Sequence, residues 1–508
     1  MIDLAGGGER VSVLIAGAGP VGLLLAAELQ RRGVSCKLID ARQGPLHWDR
    51  ATVIHPRSLE SLASLGLIDR FLEAGTKQRA VKIYSGGQLL GTLDLSECGS
   101  AYGFNLGLSE ETTESILSDY LCAMGGTVHR STRLVGANVH DDGVVAEIEQ
   151  DGDRYRVQAE WIVGCDGAHS PTRELSGIVL EGHDITQPWA VFDASIAGWT
   201  DDFELNVGYL DSVPVILTSL PERRWRVYLR PRSAESDLVD DALSTVRQYA
   251  ASASFIDVAN PTRFHCSSKV ASRFRSGRVL LAGDAAHLCS PAQGHGMNTG
   301  LQDAFNLAWK LALVCRGVAD STLLDSYDVE RRPVAEMVAR SGDMTDFGEM
   351  LTDPAERRER DSAIRATFAG SASRHNEIVA ETELNVDYSA SPIVLAGAGS
   401  ALAAGQRVPD TITVRSAGHT LVLCGDATAE DSGFASLLDA LRKVVDGSSV
   451  FEAVVSLGTA DLLDGRGSTT LLAVRPDGYI GMRSERDHLA ALERYQELVT
   501  ARPSAIAT

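Results

Sequence analysis

Two glycine-rich segments, far apart in the chain, hold the residue types and spacings that could do chemistry. The first, Gly17-Ala18-Gly19-Pro20-Val21-Gly22, follows the apolar run VSVLIA at 11–16. Its glycines have separate uses: Gly17 permits a tight turn, Gly19 lets backbone approach a pyrophosphate, and Gly22 lets a helix pack close to a strand. A helix opened by Pro20 and Val21 offers unpaired N–H groups and its positive dipole end to that diphosphate. Asp40 closes the second apolar run, 23 positions after Gly17. That is near the roughly 20 expected of a carboxylate that accepts from ribose hydroxyls. Ala41 and Arg42 come next, and Arg42 could meet a 2′-phosphate.

The second segment places Asp284 directly after the apolar run VLLAG, at the mouth of a sheet. Pro291, Gly294, Gly296, Met297 and Asn298 then form a turn of small residues, with a helix predicted over 299–314. Backbone N–H groups at such a helix start favour negative charge on a bound group. Between the two segments, WIVGCDGAHSPTRE puts Asp166-Gly167 at the end of another apolar strand, followed by Ser170 and Arg173.

The elements that must position these residues follow from periodicity. A strand at 11–16, a helix over 21–32 stopped by Gly33, and a strand ending at Asp40 make a βαβ opening. A helix from Pro56 buries Leu59, Leu62, Leu65 and Leu67, and another spans 110–124. Residues 80–105 and about 185–270 instead read as short alternating strands. In WRVYLR, Trp225, Val227 and Leu229 face one side and Arg226, Tyr228 and Arg230 the other, on a half-exposed strand. After a linker at 389–410, a strand, helix, strand, hairpin and final helix follow from about 411.

The order of the three motifs resembles the FAD-dependent aromatic hydroxylases, the single-component flavoprotein monooxygenases that include p-hydroxybenzoate hydroxylase and phenol hydroxylase. The resemblance implies an α/β fold: a discontinuous Rossmann-like FAD-binding domain (1–80, 106–184, 271–388) with an inserted antiparallel-sheet substrate domain (81–105, 185–270). The C-terminal 389–508 resembles the thioredoxin-like domain of phenol and polyketide hydroxylases. It lacks CxxC, so a scaffold or oligomerisation role is expected there, not redox chemistry. FAD is then the cofactor, with NADPH or NADH a transient electron donor, since no second GxGxxG is present. Gly17, Gly19, Pro20, Val21, Gly22, Asp40, Ala41 and Arg42 would hold the ADP half. Asp284 would hold the ribitol, and Pro291, Gly294, Gly296, Met297 and Asn298 the flavin. Arg50, Val135 and Asp166 are further expected contacts. Ser109 stands where relatives often carry a glutamine on FAD.

The family's chemistry implies that O2 forms a flavin C4a-hydroperoxide, attacked by an electron-rich ring, normally a phenolate. Phenol hydroxylases carry an aspartate two positions after the flavin-side arginine. Here the sequence is Arg50-Ala51-Thr52, and that base is missing. Hydroxylases of polycyclic polyketides also lack it, which tilts the expected substrate towards a larger phenolic ring system. Candidate catalytic or pocket groups are Arg50, His55, Tyr209, Arg226, Tyr228 and Arg230. His287 is expected in a structural hydrogen bond. His295, in the turn nearest the flavin, would tune the flavin or gate O2. The alternatives are a flavin Baeyer–Villiger oxygenase on the same scaffold or a redox-silent FAD-binding partner subunit.

The 508 residues carry a net charge of −21, with 44% hydrophobic and 23% charged residues. That is ordinary globular usage, and the acidity argues against a nucleic-acid partner. Eight cysteines without metal-ligand spacing read as reduced thiols, with no metal expected. No apolar run reaches the roughly 20 residues a membrane helix needs. A cytoplasmic monomer or homodimer acting on a small aromatic molecule is expected.

Overall fold

A computed structural model describes residues 9–45, 51–199, 202–397, 402–410, 412, 414–425, 432–458 and 469–500. The apolar strand Glu9–Ala16 pairs in parallel with Cys36–Ile39 on one side and Asp153–Gly164 on the other. A strand hydrogen-bonded on both edges and covered on both faces has no polar side, which is why its sequence does not alternate. Val128–His129 extends the sheet beyond Cys36–Ile39, and Val279–Leu281 extends it beyond Asp153–Gly164. The strands Thr132–Val139 and Val144–Gln150 add an antiparallel flank.

Helix Pro20–Arg31 returns across this sheet and ends before Gly33, whose φ of +73° suits glycine. It packs against helices Glu110–Ala123 and His295–Cys315. Leu23, Leu24, Ala27, Leu117, Leu301 and Leu311 belong to the core these helices share. A Cβ at Gly300 would lie 2.7 Å from Val21, so glycine is what permits the close approach of the first and last of them. The helix from Pro56 ends at Ser64, and a separate helix Ile68–Ala74 follows the turn at Gly66.

A seven-stranded sheet stands beside the first. Its order is Ser254–Phe264, Trp189–Ala197, Arg224–Leu229, Val215–Leu220, Leu205–Tyr209, Ala80–Ser85 and Gln88–Asp94. The pairing of Leu205–Tyr209 with Ala80–Ser85 is parallel and joins the two sequence-distant pieces. Trp225, Val227 and Leu229 face a core shared with helix Leu238–Val246. Arg226, Tyr228 and Arg230 take the opposite face, as the alternation requires, but they are buried too. The expectation of a half-exposed strand is corrected here: helix Asp325–Met350 supplies Asp346 and Glu349 against Arg230, and Asp193 pairs Arg226.

The C-terminal residues form a four-stranded sheet ordered Phe451–Leu457, His419–Cys424, Thr470–Val474 and Ile480–Ser484, with helices Ser432–Asp446 and His488–Thr500. The expected linker is not loose. Leu395 and Arg407 make bridges to Met482 and Tyr479. A buried ionic cluster fastens this unit to the rest: Arg475 pairs with Glu330 at 2.7 Å and Asp477 at 2.5 Å, while Lys310 pairs with Glu330 at 2.7 Å. Among the described residues no helix is long and apolar enough to cross a membrane.

Candidate functional site

One cavity of about 980 Å³ joins the parallel sheet to the seven-stranded sheet. That is the top of the ~300–1,000 Å³ range of small-molecule sites, room for a large cofactor and a ligand together. From the parallel sheet its wall takes Gly17, Gly19, Pro20, Val21, Asp40, Ala41, Arg42, Asp166 and Asp284. From the other side it takes Val207, Gly208, Ile216, Tyr228 and Phe264, with Met344, Glu349 and Phe368 from the helices that close it.

The glycines test whether a dinucleotide fits. A Cβ at Gly17 would lie 2.1 Å from the Cys165 carbonyl oxygen, and one at Gly22 would lie 1.9 Å from that of Gly17. Gly17 also has φ +99°. At Gly19, by contrast, the nearest atom to such a Cβ is Glu114 Oε1 at 3.8 Å, so the backbone there is open to the cavity. Gly19 is the N-cap of the helix and has no side chain to cap it. The N–H groups of its first turn are left for a bound anion. Asp40 accepts from Ala18 N and Arg42 N, each at 2.7 Å, which fixes its carboxylate at the wall. Arg42 lies 3.4 Å from Glu114. The residues present fit the ADP half of FAD.

The expected flavin end is built from two loops tied together. Arg173 donates to Ala168 O at 2.8 Å and Ala285 O at 3.1 Å, joining the Asp166-Gly167 loop to the loop of Asp284. Asp166 is held by Ser170 and by Thr172 N at 3.0 Å. His287 is in a structural hydrogen bond, as expected: its Nε2 lies 2.7 Å from Asp303 Oδ2. Asp303 also accepts from Gly283 N at 3.0 Å and Arg331 Nε at 2.8 Å. Burial pushes the Asp303 carboxyl up, but His287 and Arg331 outweigh it and hold it below the usual range.

The helix after the turn starts at His295, earlier than the expected 299, with Gly294 as N-cap at φ +70°. Gly294, Gly296 and Met297 line the cavity with Pro291. Asn298 does not. Its side chain donates to Val53 O and Gly294 O and accepts from His55 N, all at 2.9 Å, so it staples the Val53–His55 segment to the turn.

Several other expected site residues are placed elsewhere. Tyr209 lies in the core beyond the sheet, bonded to Trp199 at 3.2 Å, while its neighbours Gly208 and Leu210 face the cavity. Arg226 is bidentate to Asp193, at 2.7 and 2.9 Å. Ser109 caps its helix through Thr112 N at 3.1 Å, and Glu110 and Glu114 form the wall there. Thr132, Arg133 and Leu134 line the cavity, and Val135 lies outside it. His295 is neither at the wall nor in solvent. It is buried, 3.0 Å from Glu383, and stacks on His55 at 4.8 Å between ring centres. Burial and the facing His295 hold His55 down at about 4, so it is neutral; burial lowers His295 too, but Glu383 outweighs it. Arg50 lies outside the described residues.

Tyr228 is the expected candidate that reaches the wall, and its hydroxyl lies 3.1 Å from that of Thr52. Sequence reasoning missed Glu349, Arg360 and Glu381, which also line the cavity. They come from helices Asp325–Met350, Pro354–Ala369 and Ser371–Glu381. No local motif marks them.

A nucleotide-type glycine cradle opening into an apolar ligand chamber is the arrangement of a dinucleotide-dependent oxidoreductase. Residues 10–341 match the protein family described as "FAD binding domain". A 6-methylpretetramide 4-monooxygenase of Streptomyces rimosus is 38% identical over 63% of this chain, a match spanning 59% of that protein's length. The 12-dehydrotetracycline 5-monooxygenase/anhydrotetracycline 6-monooxygenase of Streptomyces rimosus subsp. rimosus is 30% identical over 93% of this chain and 95% of its own. The solved anhydrotetracycline hydroxylase from Streptomyces rimosus superposes with a TM-score of 0.77, at 27% identity, over 97% of this chain and all of that one. The chain belongs to the FAD-dependent aromatic monooxygenases.

Proposed function

We propose that the protein hydroxylates a polycyclic, phenol-bearing aromatic substrate of the polyketide type, with NADPH or NADH and O2 as co-substrates. The observation that carries this reading is the cavity of about 980 Å³, which joins the glycine cradle to an apolar chamber large enough for a multi-ring ligand. The names of the tetracycline-type relatives support the same substrate class. They give no support to ketone insertion or a redox-silent subunit.

When bound, FAD supplies hydride acceptance from the nicotinamide and activation of O2. The chain's own residues do the rest. The first turn of helix Pro20–Arg31 and the Asp40 carboxylate would orient the ADP half. The N–H groups of Gly296 and Met297, in the first turn of a helix at the wall, would stabilise negative charge on the reduced flavin. Val207, Ile216, Phe264 and Phe368 exclude water from the chamber. Tyr228 and Thr52 would present paired hydroxyls to the substrate, with Thr52 at the position where phenol hydroxylases carry an aspartate.

The boundaries 1–80, 106–184 and 271–388 for the FAD-binding unit and 81–105 and 185–270 for the substrate unit belong to this reading. So does a thioredoxin-like C-terminal unit, supported by its parallel βαβ half and antiparallel hairpin. With all eight cysteines free, that unit acts as a scaffold of a cytoplasmic enzyme. Incubation with NADPH, O2 and a panel of polycyclic phenols tests the function. A product gaining one oxygen as a ring hydroxyl, located by NMR, is expected; a lactone, or no product with any member, contradicts it.

A further inference from the structure

The polar residues of the chamber differ in how completely they are satisfied. Arg360 donates to Ser85, Leu210 O, Gly348 O and Asp361. Glu377 is exposed and Glu381 is only half-buried. Glu349 is unlike these. It is 4% exposed, it lines the cavity, and its Oε2 has no hydrogen-bond partner among the described residues.

Its nearest cation is in the same condition. Arg230 Nε lies 3.8 Å from Glu349 Oε2, too far for a hydrogen bond, and is itself buried without a partner. The rest of Arg230 is committed: to Gln187 O at 2.8 Å, to Asp346 at 2.5 Å, and over the Trp189 ring at 4.0 Å. The guanidinium therefore cannot swing to close the gap. Asp346 also accepts from Ser290 at 2.8 Å, so the arrangement is rigidly tied to the flavin-side turn. Buried polar groups in folded proteins nearly always find partners. A carboxylate left without a donor on a ligand wall, beside an arginine locked in place, is a site built for a ligand's donor.

We propose that Glu349 accepts the phenolic hydroxyl of the aromatic substrate and so fixes which ring of a polycyclic ligand enters the chamber first. The assignment rests on the hydroxylase reading above. A phenol reaching the wall supplies what Glu349 lacks: its O–H donates to the carboxylate, while Arg230 stays behind it as a fixed positive charge. The same contact carries the proton. The phenol O–H bond breaks with its electron pair kept on oxygen, an O–H bond forms on Glu349, and no other reactant is consumed.

The groups facing Glu349 are Arg230, Asp346 and Arg360. Burial pushes its carboxyl up to about 8, Arg230 and Arg360 pull down, and Asp346 adds to the rise. An acceptor with that affinity for protons is better matched to a phenol than an ordinary carboxylate is.

The test uses the full-length, FAD-reconstituted protein and two probes, 1-naphthol and its methyl ether 1-methoxynaphthalene, with affinities measured from pH 6 to 8.5. The wild type should prefer naphthol, and the preference should grow with pH as the carboxylate ionises, reaching about tenfold. Glu349→Gln keeps the shape and an acceptor but does not ionise, so its preference should be flat with pH. Glu349→Leu should bind the two probes equally, and Glu356→Gln, at an exposed position away from the cavity wall, should behave as wild type. A wild-type preference that does not vary with pH, or that Glu349→Leu retains, overturns the assignment, as does FAD-bound wild type that binds neither probe. All three leave the FAD reading standing. A wild type that takes up no FAD overturns both.

Discussion

The hydroxyls of Thr52 and Tyr228 meet at 3.1 Å at the joint between the parallel sheet and the substrate sheet, both buried and both on the cavity wall. Thr52 directly precedes the short strand Val53–Ile54, and Tyr228 sits on Arg224–Leu229, the third of the seven strands. A pair of neutral hydroxyls can orient a phenol but adds no charge. Tyr228→Phe should leave FAD content unchanged and weaken binding of 1-naphthol by about fivefold, the worth of one hydrogen bond. Thr52→Val should act in the same direction. Equilibrium titration of the flavin-bound variants checks both.

Gly17→Ala should remove FAD binding. The added Cβ would meet the Cys165 carbonyl at 2.1 Å, on a backbone at φ +99° that side chains rarely adopt. Gly19→Ala is the milder change, since its Cβ enters open space at the wall. It should keep the fold and lower FAD affinity by at least about tenfold through lost approach of the pyrophosphate. Apoprotein titration with FAD, alongside far-ultraviolet circular dichroism, separates the two.

The Glu330–Arg475 pair joins the FAD unit to the C-terminal sheet in a fully buried setting. Burial pushes Glu330 up, yet Arg475 and Lys310 outweigh it and hold it well below the usual carboxylate range. Arg475→Ala leaves Glu330, Asp477 and Lys310 with unbalanced charge away from water. It should cost about 3–5 kcal/mol. Thermal unfolding should show the loss in the melting of the whole chain, not of the C-terminal unit alone.

Glu349 gives the stability a sign with pH. Its folded pKa of about 8 lies above the ordinary 4.5, so between those values the unfolded chain holds fewer protons than the folded one. Stability contributed by this group therefore falls as pH rises from 4.5 to about 8 and levels off beyond. The total is on the order of a few kcal/mol. Glu349→Gln should remove the slope and be more stable than wild type at pH 8.5, by denaturant titration at several pH values.

What is legible in the sequence is local. The glycine spacing, Asp40 and the turn after Asp284 work through backbone geometry within a few residues, and the structure gathers them on one wall. Alternation in WRVYLR yields the right faces but not their burial, because what covers Arg226 and Arg230 comes from Asp193 and Asp346, far away in the chain. Tyr209 departs from expectation for a related reason: a one-residue step along a strand decides between core and cavity. His295 reads as a flavin neighbour because it adjoins Gly294. The helix begins at His295 itself, so its side chain turns to Glu383. Glu349 carries no signal, since an acidic residue on a long helix is ordinarily solvated.

An FAD enzyme of this kind should reduce its flavin in answer to an aromatic ligand. Anaerobic reduction of the FAD-loaded protein by NADPH and NADH, followed at the flavin absorbance bands with and without polycyclic phenols, reads that response. The expected outcome is a yellow protein whose flavin bleaches faster with at least one of them. A protein that takes up no FAD, or a bound flavin whose reduction is indifferent to every aromatic tried, would contradict it.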